Sequence, residues 1–308
     1  MESNVSFKRA QRLKVGDAIS IIAPASPFAR TDLETSIGWL EAQGYKCLIS
    51  KSIFSRNDYL AGSDHRRANE LMAAWNAKSR AVFCARGGYG SLRLYDHFKI
   101  QKIRQHTKIF MGMSDLTVLL NYVTLKTGVI TIHGPVLAGE QFSKLAHRRK
   151  MHLFDLLSNS VKQELFLRKH YDVFQKGCCT GRLFGGNLAM IAASIGTPFE
   201  TKPRGNSILF LEDTGEPLYR IDRMLAQLYL SGFLKKFCAV ILGDFTNLQG
   251  KIYSMKHLTP ILSRYISKGT PVVYGVASSH AHMETLLPIG GKVSIESKTI
   301  VIDPLVSS

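Results

Sequence analysis

Short apolar runs alternate with amphipathic stretches through the first 130 or so residues, and this alternation constrains the fold more than any other property of the chain. Ala18-Ile19-Ser20-Ile21-Ile22-Ala23 and Ala81-Val82-Phe83-Cys84-Ala85 are apolar enough to be strands buried on both faces. Between them, Thr31 and Glu34 have capping-box spacing, and Leu33, Ile37 and Leu40 then share one helical face up to Gly44. Cys47-Leu48-Ile49 reads as the next short strand. Ser63 and Asp64 open a second helix with Ala68, Leu71, Met72 and Trp75 turned inward. Strand, helix, strand, helix at this spacing predicts a parallel sheet with crossover helices.

Farther on, Val129-Ile130-Thr131-Ile132 predicts a strand, and a basic helix is expected over about 138–157. Residues 164–181 read as loop and short strand, so a joint between domains 1–165 and 178–308 is placed there. In the second half, Gly181-Arg182-Leu183-Phe184-Gly185-Gly186-Asn187-Leu188 reads as the opening of a small apolar helix. Ile208-Leu209-Phe210-Leu211, Ala239-Val240-Ile241-Leu242 and Pro271-Val272-Val273-Tyr274 read as strands, and Lys292–Ile295 with Thr299–Ile302 as a closing pair. The predicted class is α/β in two domains: an N-terminal parallel sheet flanked by helices and a C-terminal mixed-sheet α/β domain.

The 308 residues carry 40 Lys and Arg against 23 Asp and Glu, a net +17. The charges are scattered, and the densest cluster, His147-Arg148-Arg149-Lys150, reads as a solvated helix face. With no zinc-finger spacing and no aromatic RNA-binding run, the basicity is taken as character spread over the outer surface, and second as a steering field for an anionic substrate. Neither nucleic acid nor a membrane is an expected partner. Five cysteines, an odd number with no C-x-x-C pair, argue against a disulfide framework and against a zinc site. The N-terminus lacks the apolar core of a signal peptide, and no run approaches the roughly 18 apolar residues of a spanning helix. A cytoplasmic location is expected.

The chemistry concentrates where apolar runs end. Ile109-Phe110-Met111-Gly112 stops just before Ser114, which opens a helix expected from 115 to about 126. A serine at a strand-to-helix turn is exposed at the end of the sheet, beside helix N–H groups that can hold an oxyanion. The competing explanation is that Ser114 only caps the helix. Arg86-Gly87-Gly88-Tyr89-Gly90 lets backbone approach a ligand, as a phosphate cradle, an oxyanion donor loop or an empty turn. Glu212, His133 and His280 also follow apolar runs. A serine needs a histidine to take its proton, and the histidine needs a carboxylate to fix its tautomer. The order Ser…Glu…His fits a triad, although Leu116 stands where a G-x-S-x-G elbow has its second glycine.

The chain as a whole resembles the serine LD-carboxypeptidases, the family of muramoyl-tetrapeptide carboxypeptidases and microcin C self-immunity proteins. The matching pieces include Ile22-Ala23-Pro24-Ala25-Ser26-Pro27, Cys84-Ala85-Arg86-Gly87-Gly88-Tyr89-Gly90, Gly112-Met113-Ser114-Asp115-Leu116-Thr117 and His133-Gly134-Pro135. They continue with Gly185-Gly186-Asn187-Leu188, Leu211-Glu212-Asp213, Glu216-Pro217-Leu218-Tyr219-Arg220, Leu242-Gly243-Asp244-Phe245-Thr246, and His280 before Leu287-Pro288-Ile289-Gly290. One departure is Ser278-Ser279-His280, where the family has Pro-Phe-Gly-His; His282 is the second choice for the histidine.

The resemblance implies Ser114 as nucleophile, His280 as base and acid, and Glu212 as the residue orienting it. It implies the backbone N–H groups of Gly88 and Asp115 as oxyanion donors. The active site would lie in a groove between two domains, commonly in a homodimer, and no metal or organic cofactor is required. The implied substrate is a muropeptide or peptide with a C-terminal carboxylate, cleaved at an L,D-amide to release D-alanine. Arg86, Arg220 and Arg223 are candidates to hold that carboxylate, and Glu216 is a further candidate for substrate binding. Two alternatives remain: a hydrolase of aminoacyl-adenylate analogues, and a non-catalytic binding module.

Overall fold

A six-stranded and an eight-stranded sheet organise the computed structural model, which describes residues 6–97, 99–166, 173–296 and 299–308. The first half supplies β1 (Ala18–Ile22), α1 (Arg30–Ala42), β2 (Lys46–Ile49), α2 (Asp64–Asn76), β3 (Ala81–Cys84), α3 (Ile100–Ile103), β4 (Ile109–Gly112), α4 (Thr117–Thr127) and β5 (Thr131–His133). These strands pair in the order β5-β4-β3-β1-β2, all parallel, as the alternation predicts. Ser63 caps α2 by accepting from the Arg66 N–H at 3.2 Å. The capping box at Thr31 does not form. Helix α1 begins at Arg30, two residues too early for a cap at Thr31, so Thr31 lies inside the first turn and its carbonyl accepts from Thr35 instead.

The basic helix is two helices, α5 (Glu140–Ser143) and α6 (His147–Ser158). His147, Arg148 and Arg149 are solvated as expected, but Lys150 turns inward over the Phe142 ring at 4.9 Å. Its ammonium reaches the Ser143 carbonyl, so the charge keeps a partner.

The second sheet is built from β6 (Gln163–Phe166), β7 (Val173–Gln175), β8 (Cys179–Asn187), β9 (Ser207–Asp213), β10 (Ala239–Phe245), β11 (Val272–Tyr274), β13 (Lys292–Ile295) and β14 (Thr299–Ile302). Its order is β6-β14-β13-β8-β9-β10-β11-β7, with β8 to β11 parallel and the rest antiparallel. Helices α7 (Leu188–Ser194), α8 (Leu218–Leu230) and α9 (Met255–Tyr265) lie between its strands in the chain. Strand β12 (Leu287–Ile289) returns to the first sheet, antiparallel to β5. There Pro288 sits on an edge, where its missing N–H disturbs no second ladder. Strand β6, at the edge of the expected first domain, pairs instead with β14 in the second sheet.

Two expectations fail in this half. The glycine-rich run from Gly181 is a strand, and helix begins only at Leu188, capped by the Asn187 side chain. Gly185 and Gly186 have φ of +121° and +138°, and a Cβ on Gly185 would stand 2.0 Å from the Phe210 carbonyl oxygen. Glycine serves close strand approach here, which composition does not distinguish from a weak helix start. The second failure concerns the cysteines: Cys179, at the start of β8, is disulfide-bonded to Cys238, just before β10. Cysteine parity and motif spacing are blind to two residues 59 apart that the sheet brings together.

The sheets meet through α4, which is buried from Thr117 to Thr124. Strand β13 accompanies β8 only as far as Arg182, and beyond it a helix face replaces the missing strand. The Asn121 side chain donates to the Gly185 carbonyl (2.8 Å) and accepts from the Gly185 N–H (3.0 Å), while Thr117 Oγ1 accepts from the Asn187 N–H (3.0 Å). Residues four apart share a helix face, so both bonds fall on one line. Among the described residues no helix is long and apolar enough to cross a membrane.

Candidate active site

Ser114 sits two residues past β4 with φ of +63°, a left-handed conformation that non-glycine residues rarely adopt. It starts a single 3₁₀ turn, Ser114–Leu116, which runs directly into α4. No side chain caps either element, so the hydroxyl of Ser114 is not used as a helix cap. A strained residue at a sheet end needs surroundings that hold it there. Gly87 provides part of them: a Cβ at that position would lie 2.8 Å from Ser114 Cβ, so only glycine leaves the serine room.

The glycine loop is held on both sides. Ser26 Oγ accepts from the Tyr89 N–H at 3.0 Å, the Ser26 N–H donates to the Gly87 carbonyl, and Gly88 presses against the same serine with φ of +96°. At its far end, the Asp115 carboxylate accepts from the Ser91 N–H at 2.8 Å. Burial pushes the Asp115 carboxyl up, against the pull of the Ser91 and Gly90 groups and of Arg67. Arg67, fully buried, donates to the carbonyls of Gly90 and Pro24 and pairs with Asp64. Sequence reasoning reached Asp115 only through its backbone and missed Arg67 and Ser26. The signal for Arg67 was an arginine beside Ala68 and Leu71 on the inward face of α2.

Glu212, near the end of β9, is fully buried and holds the loop that follows β11. His280 Nδ1–H donates to Glu212 Oε2 at 2.7 Å, and the His280 main-chain N–H reaches the same oxygen at 3.3 Å. Burial acts to raise the Glu212 carboxyl, but the imidazole and its hydrogen bonds outweigh it and hold the pKa below the ordinary value. For His280 burial again opposes charge, yet Glu212, with Asp213 behind it, raises the pKa above 6.5. With Nδ1 committed to the carboxylate, Nε2 is the nitrogen left to exchange a proton.

Ser114 and His280 line one cavity of about 540 Å³, together with Arg86, Gly87, Gly88, Met113, Gln141 and Lys144. The structure therefore brings Ser114, Gly88, Arg86 and His280 to one space, with Glu212 bonded behind His280. It does not bring the others there. Arg220 pairs with Glu216 at 2.9 Å on the first turn of α8, outside that lining, and Arg223 lies near the Tyr219 ring. His133 is buried and held by the Ser278 carbonyl at 3.1 Å, with burial pushing its pKa down to about 4. A neutral, enclosed imidazole is structural here. His282 pairs with Asp244 at 3.1 Å instead of with Glu212.

Two family models match the chain: an LD-carboxypeptidase N-terminal domain over residues 19–134 and an LD-carboxypeptidase C-terminal domain over residues 180–295. A probable murein peptide carboxypeptidase of Bacillus subtilis is 34% identical, across 97% of this chain and 95% of its own. A muramoyltetrapeptide carboxypeptidase structure from Oxalobacter formigenes is 30% identical with a TM-score of 0.79, covering 93% of this chain and 98% of its own. The microcin C7 self-immunity protein MccF, solved with aspartyl sulfamoyl adenosine, is 25% identical with a TM-score of 0.86, covering 97% and 99%. Both halves of the chain, and the sheets that carry Ser114 and Glu212, are thus accounted for by one source of descent: the chain belongs to the LD-carboxypeptidase family.

Proposed function

We propose that this protein is a serine-type LD-carboxypeptidase that removes the terminal D-alanine from muropeptide tetrapeptides. The observation that carries the reading is the shared cavity of strained Ser114 and carboxylate-bound His280. Ser114 Oγ attacks the carbonyl carbon of the L,D-amide while His280 Nε2 takes its proton. Glu212 stabilises the imidazolium, and the N–H groups of Gly88 and Asp115 receive the developing oxyanion. His280 then returns the proton to the leaving D-alanine amine. Water, deprotonated by the same nitrogen, hydrolyses the acyl-enzyme. We assign the substrate carboxylate to Arg86, since Arg220 is already paired with Glu216. The reading includes a cytoplasmic location and a homodimer.

MccF-like hydrolysis of an aminoacyl-adenylate analogue is the competing reading, favoured by the likeness to that fold. It calls for an aromatic platform for a base. Neither tryptophan supplies one: Trp75 is buried with its indole N–H on the Ile103 and His106 carbonyls, and Trp39 packs against Phe142 and Phe154. Offering wild-type protein a muropeptide tetrapeptide and, separately, an aminoacyl sulfamoyl adenosine decides between them. D-alanine release from the first is expected; turnover of the second alone would overturn the proposal.

A further inference from the structure

Ser279 stands just before His280 in the turn that carries the histidine, and that serine is fully buried. Its hydroxyl donates to Asp244 Oδ2 at 2.6 Å and accepts from the His282 N–H at 3.1 Å. The Ser279 N–H donates to the His282 carbonyl at 2.8 Å, closing the turn around His280. His282 Nδ1–H donates to the same Asp244 oxygen at 3.1 Å; since a carboxylate only accepts, the proton is on Nδ1. One oxygen therefore holds the residues on both sides of His280. Asp244 lies in β10, next to β9, so two neighbouring strands each give one carboxylate to a single turn. Gly243 keeps the two close: a Cβ there would stand 3.0 Å from Glu212 Cβ and 3.3 Å from Ser279 Cβ.

We propose that Asp244 is a positioning residue for His280, acting through Ser279 and His282 to hold the imidazole on Glu212. The inference rests on His280 being the base of the proposed reaction. Geometry makes the consequence specific. Glu212 Oε2 receives both the Nδ1–H and the main-chain N–H of His280, so a turn that tilts loses both contacts together. The charged or titratable groups around His280 are Glu212 and Asp213 from β9, His133 from β5, Asp244 with His282, and Asp32, Arg86, Glu140 and Lys144 lining the same cavity.

The test is an NMR titration of the His280 ring in wild type, Asp244→Ala, Asp244→Asn and Ser279→Ala, read beside kcat and KM. Loosening the turn weakens the contact that raises the His280 pKa and leaves burial, which lowers it. The expected result is a lower midpoint in Asp244→Ala and in Ser279→Ala, with kcat down about 10²-fold and KM little changed. Asp244→Asn keeps an acceptor and should restore most of both. Ser279→Ala changes no charge, so a shift there cannot be the loss of a distant carboxylate. If Asp244→Asn shifts like Asp244→Ala while Ser279→Ala stays at the wild-type midpoint, Asp244 acts only through its charge and the proposal fails. An unmoved midpoint in folded Ser279→Ala overturns it as well. The titration needs no substrate, so a wild-type protein inactive on muropeptides would sink the proposed reaction and still leave this geometry tested.

Discussion

Glu212 Oε2 accepts from His280 twice, from the ring at 2.7 Å and from the main chain at 3.3 Å, so one buried carboxylate oxygen fixes both the tautomer and the place of the imidazole. Its consequences can be read against pH. His280 has a raised pKa, so the stability from the charged pair is fully present below about 6.5 and is lost as pH rises through the folded value. Glu212 has a lowered pKa, so its share is lost only as pH falls through that lowered value. Catalysis needs neutral Nε2, so activity rises where the pair's stabilisation falls. The acid limb of kcat/KM should have its midpoint above 6.5, and Glu212→Gln should lower the midpoint and cost roughly 10³–10⁴-fold in kcat. A limb at or below 6.5 would contradict this.

Ser114 holds its φ of +63° against the preference of its own side chain. Ser114→Gly should relieve that strain and, after the extra flexibility of unfolded glycine is subtracted, stabilise the protein by about 1 kcal/mol while abolishing hydrolysis. Ser114→Ala should be equally inactive without the gain. Thermal unfolding of the three proteins gives the comparison.

Asn121 stands in for a strand beside β8. Replacing it with alanine leaves the Gly185 N–H and carbonyl buried and unpaired, at a cost of roughly 2–4 kcal/mol. Denaturant titration would show a lower midpoint; an unchanged one would mean the two sheets do not depend on this contact.

The Cys179–Cys238 bond joins the first residue of β8 to the residue just before β10, two strands that already sandwich β9 in one sheet. A cytoplasmic enzyme would have to work with those thiols reduced. Cys238→Ser should therefore retain wild-type kcat, and reductant should not change the rate of the native protein. A large loss in either experiment would contradict the proposed location.

Legibility in the sequence followed distance along the chain. The parallel first sheet could be read because each strand and helix there is contiguous and its apolar spacing is local. Ser114, Gly88 and Glu212 were found because each follows an apolar run, and strand ends are where a parallel sheet presents side chains. What failed depended on partners far away. The identity of β8 depends on Phe210 and Thr117 pressing on its glycines, β12 on an antiparallel return to β5, and the disulfide on sheet order. The same holds for Arg67, Asp244 and Asn121, polar residues with bonds to Gly90, Ser279 and Gly185 that span 23 to 64 positions. His133 was marked by type, and only its enclosure showed it to be neutral and structural.

The central claim is that Ser114 cleaves an L,D-amide. The most direct measurement is mass spectrometry of a muropeptide tetrapeptide after incubation with wild type and with Ser114→Ala. Tripeptide and D-alanine from the wild type and none from the variant is the predicted result. Equal release by both proteins would contradict the assignment of Ser114, and no release by folded wild type would contradict the reaction itself.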